Sequence, residues 1–366
     1  MARKTYQYQP DYAVPPGWVL EERLEVNSIS QAEFARRCGR SPKFISDIIA
    51  GKAPVEAKTA LQFEKVLGVS ANIWLGIEKR YRLHLVRETE AREAEASADW
   101  ARGFPVNELA KRGAIHKVRS VGEKVTELLR FFGVASVEAW KNRYEAASVA
   151  FRHSPSFESD EFALAAWLRL VEIEAETQNT DEYDRPEFAK AMKSVRLLTQ
   201  AKLPHALEDA RKLCNNAGVA LVWVKPLPKA RLSGAAWWLS PRKPVIALSA
   251  RHKSDDHLWF SLFHEAAHIM LHSKKDVFVD GTNGDVDADE AEANKWAARS
   301  LVPSSAWQRF LDAGAYRSED AIRTFAVAQE IAPGIVVGRL QHEEFLPWGS
   351  RLNRLKVRLE WTDDRK

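Results

Sequence analysis

The stretch Phe263-His264-Glu265-Ala266-Ala267-His268-Ile269-Met270-Leu271-His272 restricts the fold more than any other part of the chain. With Leu258 and Leu262 before it, Ala266 and Ile269 continue an apolar stripe at helical spacing, so one helix is predicted. His264 and His268 at i and i+4 then share a face of that helix. Asp255 and Asp256 stand where they would cap and complement its N-terminus. The pattern H-E-x-x-H on a helix is a metal motif, in which two imidazoles hold zinc and the glutamate activates a water.

Because H-E-x-x-H also arises by chance, the reading needs a third ligand. The run Asp289-Glu290-Ala291-Glu292-Ala293-Asn294-Lys295-Trp296-Ala297-Ala298 is helical by composition and supplies one. Glu290 and Asn294 are i and i+4, which suits a ligating carboxylate and an amide that orients one histidine. Glu292 is the rival ligand, but it lies about 160° from Asn294 on a helical wheel and fits that pairing less well. Two histidines, one glutamate and an open position make the catalytic type of zinc site, with Glu265 as general base. His272, one turn beyond His268, is a candidate for stabilising the oxyanion. The acidic run from Asp276 to Glu292 is expected to be a solvated loop near the zinc mouth. An EF-hand reading fails because Glu290 stands where the loop requires glycine.

At these residues the chain resembles the ImmA/IrrE metallopeptidases of bacteria and their mobile elements. The resemblance rests on His264-Glu265-x-x-His268, on Glu290-x-x-x-Asn294-x-x-Ala297-Ala298, and on Leu301-Val302-Pro303. It is most specific from about Gly218 to Pro303. Trp296 departs from it, since the family usually has Phe there. The resemblance implies a zinc peptidase that typically cleaves a helix-turn-helix repressor.

A second pattern lies near the N-terminus. Ser30-Gln31-Ala32-Glu33 reads as a capping box opening a helix through Phe34, Ala35 and Cys38, which Gly39 ends. Ser41-Pro42 opens another helix, with proline at its first position, that stops at Gly51. Two short helices across a glycine turn make a helix-turn-helix, with Ala35, Ile45 and Ile48 packed inside. Residues 16–84 resemble the Xre-type, HigA-like antitoxin and repressor domains. The likeness rests on Ser30-Gln31-x-Glu33-Phe34-Ala35, Ile45-Ser46-x-Ile48, Gly51-Lys52, Thr59-Ala60-Leu61 and Trp74-Leu75. It implies that Gln31 meets a phosphate at a helix N-terminus, and that Ser41, Lys43 and Ser46 face the major groove. Residues 1–82 hold 13 Lys/Arg against 9 Asp/Glu, whereas the remainder holds 41 of each. The whole positive excess therefore sits on the segment expected to meet DNA.

Composition sets the remaining bounds. With 366 residues, 45% hydrophobic and 28% charged, the chain has the length and balance of a soluble globular protein of two or three domains. No apolar run approaches the roughly 20 residues needed to cross a membrane, and the N-terminus lacks a signal-peptide apolar segment. Cys38 and Cys214 lie far apart, suggesting no disulfide framework and a cytoplasmic protein.

These readings predict a mostly α, α+β protein in three parts. Residues 1–84 form a phage-repressor-like helix-turn-helix domain. Residues 85–205 form a helical connector and middle region, which begins with a charged, semi-rigid helix and ends near Pro204. Residues 206–366 form a zincin-like domain with a small sheet and the H-E-x-x-H helix. The β-type runs Val219–Val224, Ala235–Leu239 and Val245–Ser249 supply that sheet, with Ala235–Leu239 the candidate edge for a substrate backbone. Leu355–Trp361 alternates like a terminal strand. Together with the resemblances, this implies a DNA-binding transcriptional regulator carrying a zinc-dependent endopeptidase. Its substrate would be a repressor or antitoxin-type protein in stress, mobile-element or toxin–antitoxin control. The alternative is a non-enzymatic HigA-like antitoxin or autorepressor whose zinc domain is a sensor or scaffold. Expected partners are operator DNA, the protein substrate, a toxin and a second copy of the chain as a homodimer.

Overall fold

A computed structural model describes residues 12–152, 160–272 and 286–361, with the backbone alone for 145–152 and 286–287. Residues 1–11 and most of the acidic run from Asp276 to Glu292 fall outside the described residues. The chain divides into two compact units, residues 1–98 and 99–366. It is mostly helical, with one three-stranded sheet among the described residues.

The first unit holds α1 (Pro16–Val26), α2 (Gln31–Cys38), α3 (Pro42–Ile49), α4 (Ala57–Leu67) and α5 (Ala71–Ala96). Local chemistry sets the boundaries of α2 and α3. Ser30 accepts from the Glu33 N–H at 3.2 Å, and Gly39 closes α2 at φ +63°, a conformation that costs glycine no Cβ clash. Ser41 accepts from the Phe44 N–H at 3.2 Å, with Pro42 pre-set at the first helical position. Only half of the expected capping box forms, because the Glu33 carboxylate turns to Arg36 at 2.6 Å and Arg37 at 2.9 Å instead. Leu20, Phe34, Ala35, Ile45, Ile48, Phe63 and Trp74 are in the core, with Phe63 packed tilted against Phe34 at 5.0 Å and edge-on to Trp74 at 5.3 Å. Gly17 allows α1 to touch α3, since a Cβ there would meet the Ile49 carbonyl at 2.3 Å. Arg40 is a clasp and not a solvated charge. It donates to Gln62 Oε1 at 2.8 Å and Thr59 Oγ1 at 3.2 Å, tying the turn to α4.

The second unit begins with α6 (Ala98–Arg102), α7 (Val106–Lys111), α8 (Val121–Phe132), α9 (Val137–Arg152) and α10 (Glu161–Thr177). Phe104, Phe132, Trp140 and Phe162 join these helices through ring contacts of 4.9–5.8 Å. There follow α11 (Arg185–Leu198), α12 (Leu203–Asn216), β1 (Ala220–Trp223), β2 (Gly234–Ser240) and β3 (Lys243–Leu248). The strand order is β1-β3-β2, with β1 parallel and β2 antiparallel to β3, so β2 is an edge. The last helices are α13 (Asp255–Leu271), α14 (Val286–Leu301), α15 (Ser304–Asp312), α16 (Glu319–Ala328) and α17 (Pro333–His342).

One core holds these later elements together. Phe188, Met192 and Val195 of α11 and Ala210 and Cys214 of α12 share it with Ile246 of β3 and Trp259, Leu262 and Phe263 of α13. A fully buried Leu or Phe side chain contributes roughly 1.5–3 kcal/mol, so Leu262→Ala would remove about 2–5 kcal/mol, cavity included. Arg196 on α11 donates to the Leu301 carbonyl at 2.9 Å and to the Gln329 carbonyl. Nearby, the Ala332 N–H reaches Thr199 Oγ1 at 3.3 Å.

Two expectations at the ends of this unit are corrected. Asp255 and Asp256 do not cap α13; Ser254 is the cap residue, with no side-chain cap bond. Both aspartates are buried. Asp255 accepts from the Val357 N–H at 2.9 Å, and Asp256 pairs with Lys356 at 2.6 Å. The same contact explains why Leu355–Trp361 forms no strand. The Val357 N–H, which a ladder would need, goes to a side chain, leaving one isolated bridge, Ser254 to Arg358.

Candidate metal centre

The faces of α13 and α14 bring together His264, His268 and Glu290. The Glu290 carboxylate lies 3.2 Å from His264 Nε2 and 3.6 Å from His268 Nε2, and the two Nε2 atoms are 3.1 Å apart. A tetrahedral ion with bonds of about 2.0–2.1 Å sets its ligands roughly 3.3 Å from one another. The donor set and spacing therefore fit zinc. Among the described residues this is the one group of His, Cys, Asp or Glu donors with metal-binding spacing.

Each ring is held from behind. Asn294 Oδ1 lies 3.1 Å from His264 Nδ1, so an Nδ1–H donated there leaves the Nε2 lone pair facing the cluster. His268 Nδ1 lies 2.9 Å from His272 Nδ1, and His272 Nε2 faces Asp289 at 3.7 Å and Glu292 at 3.6 Å. With His268 Nε2 free for a metal, its Nδ1–H donates to His272, whose own proton then sits on Nε2 toward the two carboxylates. Glu292, the rival ligand, faces His272 and not the cluster. His272 likewise supports His268, where sequence spacing suggested an oxyanion donor.

Electrostatics separate the two glutamates. Burial pushes the Glu265 carboxyl up to about 7 against the pull of the His264 charge. The hydrogen bond with His264 holds Glu290 below the usual carboxylate range. Burial works against a charged His264, but the Glu290 and Glu265 carboxylates outweigh it and raise its pKa. Burial and the neighbouring His264 charge hold His268 below the usual imidazole range. Glu265 also meets the sheet edge. A Cβ at Gly234 would lie 2.8 Å from Glu265 Oε1, so only glycine lets β2 pass this close. Gly234 was missed in the sequence, although a glycine opening a β run is the available signal of close backbone approach.

The residues expected at DNA lie elsewhere. Gln31, Ser41, Lys43 and Ser46 are all exposed on the first unit, at the start of α2 and along the first turns of α3. The Ser41 hydroxyl is engaged as a cap acceptor but retains its proton to donate.

Comparison with known proteins agrees with both halves. Residues 20–74 match the helix-turn-helix family model, and residues 219–334 match that of the IrrE N-terminal-like domain, peptidase family M78. Over 74 residues the chain is 30% identical to the uncharacterized HTH-type transcriptional regulator YddM of Escherichia coli strain K12, covering 20% of this chain and 79% of that protein. A candidate antidote protein of a plasmid maintenance system from Nostoc punctiforme is 26% identical, covering 23% of this chain and 92% of its own, with a TM-score of 0.23. An addiction-module antidote protein of the HigA family from Coxiella burnetii is 23% identical, covering 23% and 91%, with a TM-score of 0.21. The chain is thus a helix-turn-helix protein with a second domain of metallopeptidase type. It belongs to the HTH-type regulators through its first unit, and its second unit carries a domain matched by the IrrE N-terminal-like model of peptidase family M78.

Proposed function

We propose that this protein is a DNA-binding regulator whose second unit is a zinc endopeptidase acting on a helix-turn-helix repressor or antitoxin-type protein. The observation that carries the proposal is the three-donor cluster with a buried glutamate beside it that also meets the edge strand β2. His264, His268 and Glu290 would hold the ion, while Asn294 and His272 fix the ring tautomers. Zinc, when bound, supplies a Lewis acid that polarises a peptide carbonyl and acidifies a water. Glu265, in its carboxylate form, would accept the attacking water's proton and, then protonated, return it to the leaving amine. β2, an edge strand of the sheet, would align the substrate backbone as an added strand. In the first unit, Gln31, Ser41, Lys43 and Ser46 would contact an operator bound by a homodimer, in the cytoplasm, with a toxin as a further partner.

The test is to purify the protein and Glu265→Gln, measure zinc, and incubate each with helix-turn-helix proteins encoded beside the gene. The substrate set includes residues 1–98 of this chain. Equal zinc content with fragments from the wild type alone supports the endopeptidase. Equal zinc content with no cleavage by either would leave a sensor or scaffold.

A further inference from the structure

A cavity of about 440 Å3 opens between α13, α14 and α17, beside the donor cluster. Its position follows from helical periodicity. On α13, Asp256, Phe260 and His264 are i, i+4 and i+8, a single stripe of ~12 Å. On α14, Asn294 and Ala298 extend the stripe that begins at Glu290. The cavity thus continues the faces that carry the metal donors, with Phe260 6.3 Å from His264 ring to ring.

The lining is mainly apolar, from Phe260, Ala298, Leu301, Ile335 and Trp348. Its two carboxylates are already engaged. Glu343 accepts at both oxygens, from Arg339 at 2.8 Å and from Trp307 Nε1 at 2.7 Å. Asp256 is buried and pairs with Lys356 at 2.6 Å, and its other oxygen is closed to solvent. The lining groups left unengaged are donors. Lys295 is exposed and has no ion pair or hydrogen bond among the described residues. Asn294 Oδ1 is taken up by His264, which leaves the Asn294 Nδ2 group to donate. The cavity therefore combines apolar walls with one unopposed positive charge and an amide donor from adjacent residues of α14. A cationic ligand would meet Lys295 as a like charge, and an anionic one as an opposite charge beside walls that screen it less than water does. Size and lining are those of a small-molecule site, apolar with few convergent polar groups.

We infer that this cavity binds a small amphipathic carboxylate, with its apolar body among Phe260, Leu301 and Ile335 and its charged end at Lys295 and Asn294. The inference stands apart from peptide cleavage, since binding is read directly and needs no turnover.

The experiment titrates the zinc-loaded full-length protein with phenylbutyrate, phenylbutanol and phenylbutylamine, followed by calorimetry. These probes share a body and differ in the end group. Phenylbutyrate should bind at least ~10-fold more tightly than the amine. Lys295→Gln, a change at an exposed residue that keeps the fold, should narrow that ratio below ~3-fold and leave the affinity for the alcohol unchanged. Ala298→Trp, which fills the cavity, should abolish phenylbutyrate binding while zinc content stays at the wild-type level. A carboxylate held on the metal instead would survive that substitution. No binding of phenylbutyrate to the wild type overturns the inference, as does an amine or alcohol that binds as tightly. An unaltered ratio in Lys295→Gln overturns it too, as does undiminished phenylbutyrate binding by a folded Ala298→Trp protein.

Discussion

The helices α3 and α13 are built on opposite terms. The helix α3 has eight residues, a serine cap, proline at its first position and two buried isoleucines. Its N-terminus is fixed by its own neighbouring residues, and Lys43 and Ser46 on its outer face are exposed. The site helix α13 has seventeen residues, no side-chain cap, and three buried carboxylates, Asp255, Asp256 and Glu265, at 2%, 5% and 8% exposure. Buried charge is unfavourable unless partnered, so other elements stabilise this helix. Lys356 and the Val357 N–H answer the aspartates, and α11 and α17 pack its flanks. A helix that only presents side chains can be locally specified, whereas one that holds buried chemistry depends on distant parts of the fold.

The comparison can be broken most directly at Glu265. Glu265→Gln should reduce turnover by ~100-fold or more while retaining zinc, as peptide cleavage assays with metal analysis would report. Substantial residual cleavage would mean the buried carboxylate is not the base. Next in size is the support behind the rings. His272→Phe and Asn294→Ala should each weaken zinc affinity by roughly 10–100-fold, read by chelator competition, with the thermal midpoint of the metal-free protein little changed. An unchanged affinity in both would show that the rings need no such support.

The buried aspartate gives a smaller effect with a defined sign. Burial raises Asp255 to about 6, above its unfolded value of about 3.9. The folded state therefore favours the protonated acid, and this stability is complete below the unfolded value and lost as pH rises through about 6. Asp255→Asn should flatten the pH dependence of stability between those values. Relative to wild type, its standing should improve toward neutrality by on the order of 1–3 kcal/mol, as denaturant unfolding at several pH values would measure. A parallel pair of pH curves would refute the assignment. The smallest effect concerns the caps. Ser41→Ala should cost about 1 kcal/mol, whereas Ser254→Ala, with no cap bond to lose, should cost only a few tenths. Equal losses would remove the contrast between the two helices.

What could be read in the sequence follows the same division. The helix-turn-helix, the metal helix and the Glu290–Asn294 pairing all rest on short spacings, and Asn294 does reach His264. Residues whose roles depend on a partner that no motif spacing marks were not readable. His272 took its place from α14, Gly234 from Glu265, and Val357 from Asp255. Alternation in Leu355–Trp361 resembled a strand because a sequence pattern cannot reveal that a side chain has claimed the ladder's N–H.

The clasp at Arg196 has a consequence for how the protein is made. Its acceptors lie 105 and 133 residues further along the chain, so on the ribosome α11 must wait for both before the second unit can close. The first unit, with its short-range contacts, is complete long before that, and domains generally fold as they emerge. Each newly synthesised molecule therefore acquires its helix-turn-helix unit well ahead of the unit that carries the donor cluster. A message cut short before α16 would yield a chain with a complete helix-turn-helix unit and no finished second unit to follow.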